Sequence, residues 1–261
     1  MKASTSTMPV IFLAHGSPMN ALEENDITRD WQQMTQKLNK PKAVVCISAH
    51  WETQGTYITG SLKPGTLHDF GGFPKALFDI EYPCPGNPEL ATRIIQKVNV
   101  TDIKIDLERK LDHGVWSLLL KLYPHADVPV VQISLDITKD EEFHFQLGSE
   151  LAFLREEDIL LIGSGNIAHN IRKWMLEPNA SLDWAIEFDE WIYKAIKRRD
   201  YGSIFNYQSL APYAIEAVPT PEHFTPLLYC LGAQTITDSL YTSPFVEIDP
   251  KNSAMRSLRW G

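Results

Sequence analysis

The sequence is short of cysteine, of positive charge and of long apolar runs, and each shortage closes off a class of function. Its three cysteines, Cys46, Cys84 and Cys230, form no CxxC pair and are odd in number. A secreted disulfide framework does not look like that, so a reducing, cytoplasmic setting is expected. No stretch approaches the ~20 apolar residues that cross a bilayer, and the run inside MKASTSTMPVIFLAHGS is too short for the core of a secretory signal. Lys and Arg total 24 against 33 Asp and Glu, a net charge of −9, which disfavours nucleic acid as a partner. The one basic cluster, Lys194, Lys197, Arg198 and Arg199, falls at the end of an expected helix, where it complements the helix dipole. There is no P-loop, no GxGxxG and no HExxH. The run Gly163–Ser164–Gly165 lacks the full nucleophile-elbow pattern and reads as the tight turn after a strand.

What remains is an ordinary globular composition, 44% hydrophobic over 261 residues, enough to bury a sizeable core. Short apolar runs alternate with longer amphipathic ones, the pattern of an α/β chain. Buried strands are expected at Val10–Ala14, Ala43–Ser48, Val128–Ser134 and Ile159–Gly163, each too uniformly apolar for a half-solvated sheet. Edge or hairpin strands are expected at Gly55–Thr59, Phe245–Ile248 and Ala254–Arg259. Helices are expected at Thr28–Leu38, Asn87–Val98, Trp116–Leu122, Asp140–Arg155, Trp184–Arg198 and Thr225–Gly232. The second opens with Asn87 at the cap and Pro88 in the first turn. In the fifth, Trp184, Phe188, Trp191 and Ala195 make one apolar face for packing on the sheet. No repeat or linker divides the chain, so a single domain over residues 1–261 is expected: a three-layer α-β-α sandwich around a mostly parallel, mixed sheet. Residues 60–86, dense in Pro, Gly and aromatics, form a long loop of the kind that walls an active site.

The eight histidines are placed unevenly. His15 ends the first strand, His50 the second, and His169 follows the fourth core strand; His223 precedes a helix after a Pro-bounded turn. Ligands of parallel sheets bind beyond the carboxyl ends of the strands, so these imidazoles can converge. Imidazole suits iron, zinc, copper or nickel. A hydrogen-bonded structural histidine is the alternative at each position taken singly. His125 reads as a surface turn residue and His144 as a helix-face residue.

Six segments in order, HGSPMN (15–20), SAHW (48–51), HDFGGFP (68–74), DHGVW (112–116), GSGNIAHN (163–170) and TPEHFTPLLY (220–229), resemble the DOPA 4,5-extradiol dioxygenase family. That family is a branch of the class III extradiol ring-cleavage dioxygenases, similar to the protocatechuate 4,5-dioxygenase beta subunit. The resemblance implies one non-haem divalent metal on His15, His50 and His223. His169 is implied as the base, and as a fourth ligand when no substrate is present. His113 is implied as a second pocket histidine, acting in catalysis and in substrate binding, and His68 as a residue at the substrate entrance. In the wider class the third ligand is a carboxylate; here His223 holds that position, with Glu222 beside it. The implied reaction inserts both atoms of O₂ into a catechol such as L-DOPA, with 4,5-cleavage to 4,5-seco-DOPA, the precursor of betalamic acid. Three ligands on one face leave iron(II) open to both catechol oxygens and to O₂, and histidine can exchange the protons near neutral pH. An all-histidine set also binds zinc, so purified protein is expected to carry Zn(II) while Fe(II) supports activity. Two other readings use the same residues: a zinc hydrolase in which His169 or Glu222 activates bound water, and a non-catalytic binding or signalling protein on this fold. Nothing in the residues sets an oligomeric state.

Overall fold

Strands that are apolar on both faces require helices on both sides. The computed structural model describes residues 7–177, 179–243, 248–249 and 253–261. Its strands are β1 (Val10–Ala14), β2 (Ala43–Thr53), β3 (Thr56–Thr59), β4 (Ile103–Asp106), β5 (Val130–Asp136), β6 (Ile159–Gly165), β7 (Leu240–Thr242), β8 (Ile248–Asp249), β9 (Ser253–Ala254) and β10 (Leu258–Trp260). Eight of them form one sheet in the order β4-β3-β5-β2-β6-β1-β10-β7, and β8 pairs with β9 as an antiparallel ribbon. The central strands β5, β2, β6 and β1 are parallel. The flanks are mixed: β10 and β7 add antiparallel, β3 meets β5 antiparallel, and β4 lies parallel to β3.

Successive residues of each central strand face two separate cores. Val10, Phe12, Val45 and Ile47 pack under helices Pro88–Lys97, Glu141–Glu150, Asp183–Arg198 and Thr225–Ala233. Ile11, Leu13, Val44 and Cys46 pack under helices Asp26–Thr35 and His113–Leu122. This is the expected three-layer sandwich. Helix Pro88–Lys97 starts as its sequence directs, with the Asn87 side chain accepting from the Leu90 amide. Trp184, Phe188 and Ala195 are buried, and Trp191 packs partly buried beside them. Among the described residues, no helix is long and apolar enough to cross a membrane.

The differences from expectation have local causes. β2 continues past Ser48 to Thr53 because its pairing with β5 shifts register between Ile47 and Glu52, so His50 lies on an irregular stretch inside the strand. The stretch Asp140–Arg155 is not one helix: beyond Glu150 the buried Leu151 and Leu154 recur at three, and the chain tightens into a 3₁₀ segment, Leu151–Glu157. Gly163–Ser164–Gly165 is the end of β6 and not a turn. β4 has no apolar run to mark it, being a short edge strand with exposed Lys104. Of the expected strand Phe245–Ile248, residues 245–247 lie outside the described residues. The expected strand Ala254–Arg259 divides between β9 and β10.

Helices Glu141–Glu150 and Thr225–Ala233 cross through two glycines. A Cβ on Gly232 would lie 2.0 Å from the Phe145 carbonyl oxygen, and one on Gly148 would lie 2.2 Å from that of Tyr229. Gly232→Ala should therefore cost about 1–3 kcal/mol, the usual range for overpacking. Gly202→Ala, whose Cβ meets nothing within 4 Å on helix Tyr201–Phe205, should gain about 0.5–1 kcal/mol from helix propensity. Urea titrations read both changes, and equal midpoints for the two variants would remove the crossing as a constraint.

Candidate active site

The first histidine is delivered by the end of β1. The ladder continues one residue beyond the strand, where the His15 amide donates to the Gly165 carbonyl at 3.1 Å. Gly16 then turns the chain at φ +57°, a region open to glycine at little cost. Ser17 caps the short 3₁₀ turn Pro18–Ala21, and Asn20 Nδ2 donates back to the His15 carbonyl at 3.1 Å. Every position of HGSPMN except Met19 thus has a local task in aiming His15.

The second and third histidines arrive differently. His50 lies on the irregular part of β2, where Arg109 donates to its carbonyl at 2.9 Å. Beneath it the fully buried Asp112 carboxylate accepts from Ser48 Oγ at 2.7 Å, from Arg109 at 2.9 Å and from Gln132 Nε2. His223 closes the 3₁₀ turn Pro221–His223, which lies directly on the end of β6. There its carbonyl accepts from the Asn166 amide at 2.8 Å, and a Cβ on Gly165 would stand 2.1 Å from the same oxygen.

The rings of His15, His50 and His223 form a nearly equilateral triangle, with centroids 5.0, 5.2 and 5.0 Å apart. Each ring has one nitrogen turned outward to a partner. His15 Nδ1 meets Ser164 Oγ at 3.0 Å, His223 Nδ1 meets Glu222 Oε1 at 3.0 Å, and His50 Nδ1 faces Asp69 Oδ2 at 3.6 Å. Nε2 of each is left for the centre, and those of His15 and His50 are 3.1 Å apart. Two nitrogens bound at ~2.1 Å to one ion stand about 3 Å apart when near orthogonal. Among the described residues, these three form a group whose donor atoms all lie within 4.8 Å of one another; His50, Asp69 and His113 form another. The residues therefore fit a single divalent metal.

Two more histidines flank this triangle at different corners. His113 packs on His50 with centroids 4.0 Å apart, and His169 stacks face to face on His223 at 3.7 Å. His169 stands outside the close-set ligand group. Above the five rings opens a cavity of about 610 Å³, walled by Pro18, Phe70, Phe73, Ile171 and Met175. His68, expected at its entrance, lies behind Phe70 with Nε2 on the Ile80 carbonyl at 3.0 Å, so the wall is made by the aromatics of its loop. His125 is an exposed turn residue, whereas His144 is buried with Nδ1 3.1 Å from the Tyr229 hydroxyl.

Burial, reinforced by the neighbouring imidazoles, holds His15 and His223 well below the ordinary histidine range. Burial and His113 push His50 down to about 4 against the opposing pull of Asp112 and Asp69. Burial likewise brings His169 to about 4, with Glu222 opposing. Burial alone would raise Asp69, but its hydrogen bonds with His113 and that residue's charge more than reverse this and hold it at about 2. Four of the five imidazoles, those of His15, His50, His169 and His223, are thus held toward the neutral form. Asp69 and Ser164 carried no assignment in sequence because each stands beside a more conspicuous residue, His68 and a glycine pair; a polar side chain inside a site segment was the available signal.

A family model described as the catalytic LigB subunit of aromatic ring-opening dioxygenase matches residues 3–247. The protein 4,5-DOPA dioxygenase extradiol of Escherichia coli (strain K12) is 42% identical, covering 99% of this chain and 96% of its own length. The protein of the same name from Beta vulgaris is 36% identical over 89% of each. A crystal structure of an uncharacterized protein from Escherichia coli K12 superposes with a TM-score of 0.82 at 37% identity, over 97% of this chain and 100% of that one. With its histidines gathered at the strand ends and this likeness running nearly end to end, the chain belongs to the LigB family of aromatic ring-opening dioxygenases, in the 4,5-DOPA extradiol dioxygenase branch, and is a ring-cleaving enzyme.

Proposed function

We propose that the enzyme opens L-DOPA or a closely related catechol at its 4,5 bond, incorporating both atoms of O₂. In this reading it is a single catalytic domain working in the cytoplasm, a setting supported by three unpaired, buried cysteines. The observation that carries it is the His15–His50–His223 triangle, with the outer nitrogens of His15 and His223 hydrogen-bonded, that of His50 facing Asp69, and each Nε2 turned to one centre. These three residues are the metal ligands, and Glu222 is the anchor of His223 instead of a ligand. Iron(II) held there supplies the one-electron chemistry that lets a catecholate react with ground-state O₂.

The remaining residues handle protons and exclude water. His169, neutral and stacked on His223, is the base that takes a catechol hydroxyl proton. A catecholate anion beside it raises its pKa by charge attraction, so the proton is held more firmly as the substrate gives it up. His113, at the opposite corner, is the second proton-handling group. Phe70, Phe73, Ile171 and Met175 pack against the aromatic ring and leave its hydroxylated edge to the histidines.

Replacing His15, His50 or His223 with Ala should leave a folded protein that binds far less than one equivalent of iron(II) after anaerobic loading. Elemental analysis showing a full equivalent in all three would sink the ligand set. Protein purified without added iron should carry zinc, by the ordinary affinity order, and take up oxygen with a catechol only after iron loading. For His169→Ala, metal should be retained while turnover falls by ~10²–10⁴-fold; recovery of the rate at high iron would make His169 a ligand instead.

The neutral cluster also sets a pH dependence. His50 and His169 hold pKa values of about 4 in the native state against 6.5 unperturbed. The unfolded chain therefore takes up these protons first, and stability rises with pH across that window. Metal-free protein should lose about 1.4 kcal/mol per pH unit for each group between pH 6.5 and 4. The loss begins above the range in which carboxylates titrate. Urea midpoints that stay constant from pH 7 to pH 5 would contradict it.

A further inference from the structure

The helix His113–Leu122 begins at the cavity with an unusual division of labour. Its own cap residue, Asp112, makes no side-chain capping bond, because its carboxylate is committed to Ser48, Arg109 and Gln132. The place is taken by Asp69, from the loop that walls the cavity. Asp69 Oδ1 accepts from the His113 amide at 3.0 Å and lies 3.0 Å from His113 Nδ1. Its other oxygen faces His50 Nδ1 at 3.6 Å. A carboxylate at a helix N-terminus is favoured on electrostatic grounds alone, but capping does not require the second contact, to the ring.

That second contact has a chemical consequence. A carboxylate accepts and does not donate, so Nδ1 of His113 must carry the proton of the neutral ring. Nε2 is then a bare acceptor directed to the cavity that His113 lines. A neutral histidine free in water favours the opposite tautomer. The same carboxylate holds the ring through Nδ1 while its backbone bond holds the residue, so the direction of Nε2 is set from one side. It also ties the chain next to Phe70 to the helix, so the aromatic wall and the ring are set by one group.

We propose that Asp69 is a positioning residue for ring cleavage: it fixes His113 as the Nδ1–H tautomer, with Nε2 presented to the catechol. This rests on the reading of His113 as a proton-handling group. The direct test is the tautomer itself. In metal-free protein labelled with ¹⁵N at histidine, long-range ¹H–¹⁵N spectra at neutral pH should show His113 with a protonated Nδ1 and an unprotonated Nε2, assigned by its loss in His113→Ala. In Asp69→Ala the signals should move toward the Nε2–H form. A wild-type His113 already in the Nε2–H form overturns the proposal, and that measurement needs no variant to fold. A tautomer unchanged in Asp69→Ala overturns it as well. The kinetic test uses iron-loaded enzyme and oxygen uptake with L-DOPA and simple catechols. Asp69→Ala should lower kcat about 10- to 100-fold, the usual range for an outer-shell partner, with KM little changed. The double variant Asp69→Ala/His113→Ala should be no slower than His113→Ala alone, since Asp69 acts through that ring. Losses that multiply in the double variant overturn the proposal. The tautomer reads without turnover, so its failure removes the role of Asp69 alone, whereas a lack of oxygen uptake with L-DOPA and every simple catechol removes the catalytic reading alone.

Discussion

Everything at the site depends on β1, β6 and β2 lying side by side, parallel, and ending on one edge of the sheet. Parallel neighbours bring their carboxyl ends together without any long loop having to find its way there. His15 and Gly165 leave β1 and β6 still joined by a ladder hydrogen bond. The third corner cannot come from the sheet, since His223 is far along the chain. It arrives because Gly165 has no side chain, which lets the Pro221–His223 turn rest its backbone on the strand end. A single Cβ there would displace the His223 carbonyl and with it one third of the triangle. The tight packing of this edge and the geometry of the site are one physical fact.

The second requirement is electrostatic. Five imidazoles in one cavity can coexist only if they are mostly neutral, and burial enforces that at His15, His50, His169 and His223 by penalising the charged form. Neutral imidazole still has a donor and an acceptor to satisfy, and outer partners on Ser164, Glu222 and Asp69 absorb the outward nitrogens. Below them Asp112 is a fully buried carboxylate, a costly group unless paired. It is paired with Arg109 and further hydrogen-bonded by Ser48 and Gln132, and Arg109 in turn holds the His50 carbonyl. The irregular stretch of β2 that carries His50 is therefore fixed by a buried charge pair, whose loss on either side would strand the other.

Much of this was legible in the residues, for identifiable reasons. Uniformly apolar runs marked four central strands, and three of them, β1, β2 and β6, begin at the expected residues. The histidines at strand ends were visible because parallel sheets place ligands there. What sequence could not carry was register. Ala43–Ser48 reads as a whole strand, yet β2 runs on because a shift against β5 is decided by pairing and not by composition. Edge strands of three or four half-exposed residues, such as β4 and β7, have too little periodicity to be seen. The glycines of Gly163–Ser164–Gly165 suggested a turn, since close approach of a distant backbone leaves the same mark as conformational freedom. Asp69 was hidden for a related reason: its partner is 44 positions away in another segment.

In the proposed assignment the carboxylates stand one bond further out than they would as ligands. A carboxylate bound directly to a dication neutralises half its charge at the centre. Glu222 and Asp69 instead sit behind His223 and His50, where an intervening ring weakens their field at the cavity. The centre then keeps more of its positive charge facing the cavity, which favours a substrate arriving as a catecholate over its neutral form. The same displacement leaves Glu222 free to polarise the N–H of His223 and Asp69 that of His113, making each ring nitrogen they back a better donor of electron density. Attraction for an anionic ring and basicity at the ring nitrogens are thus obtained from the same two groups, which direct ligation would not permit.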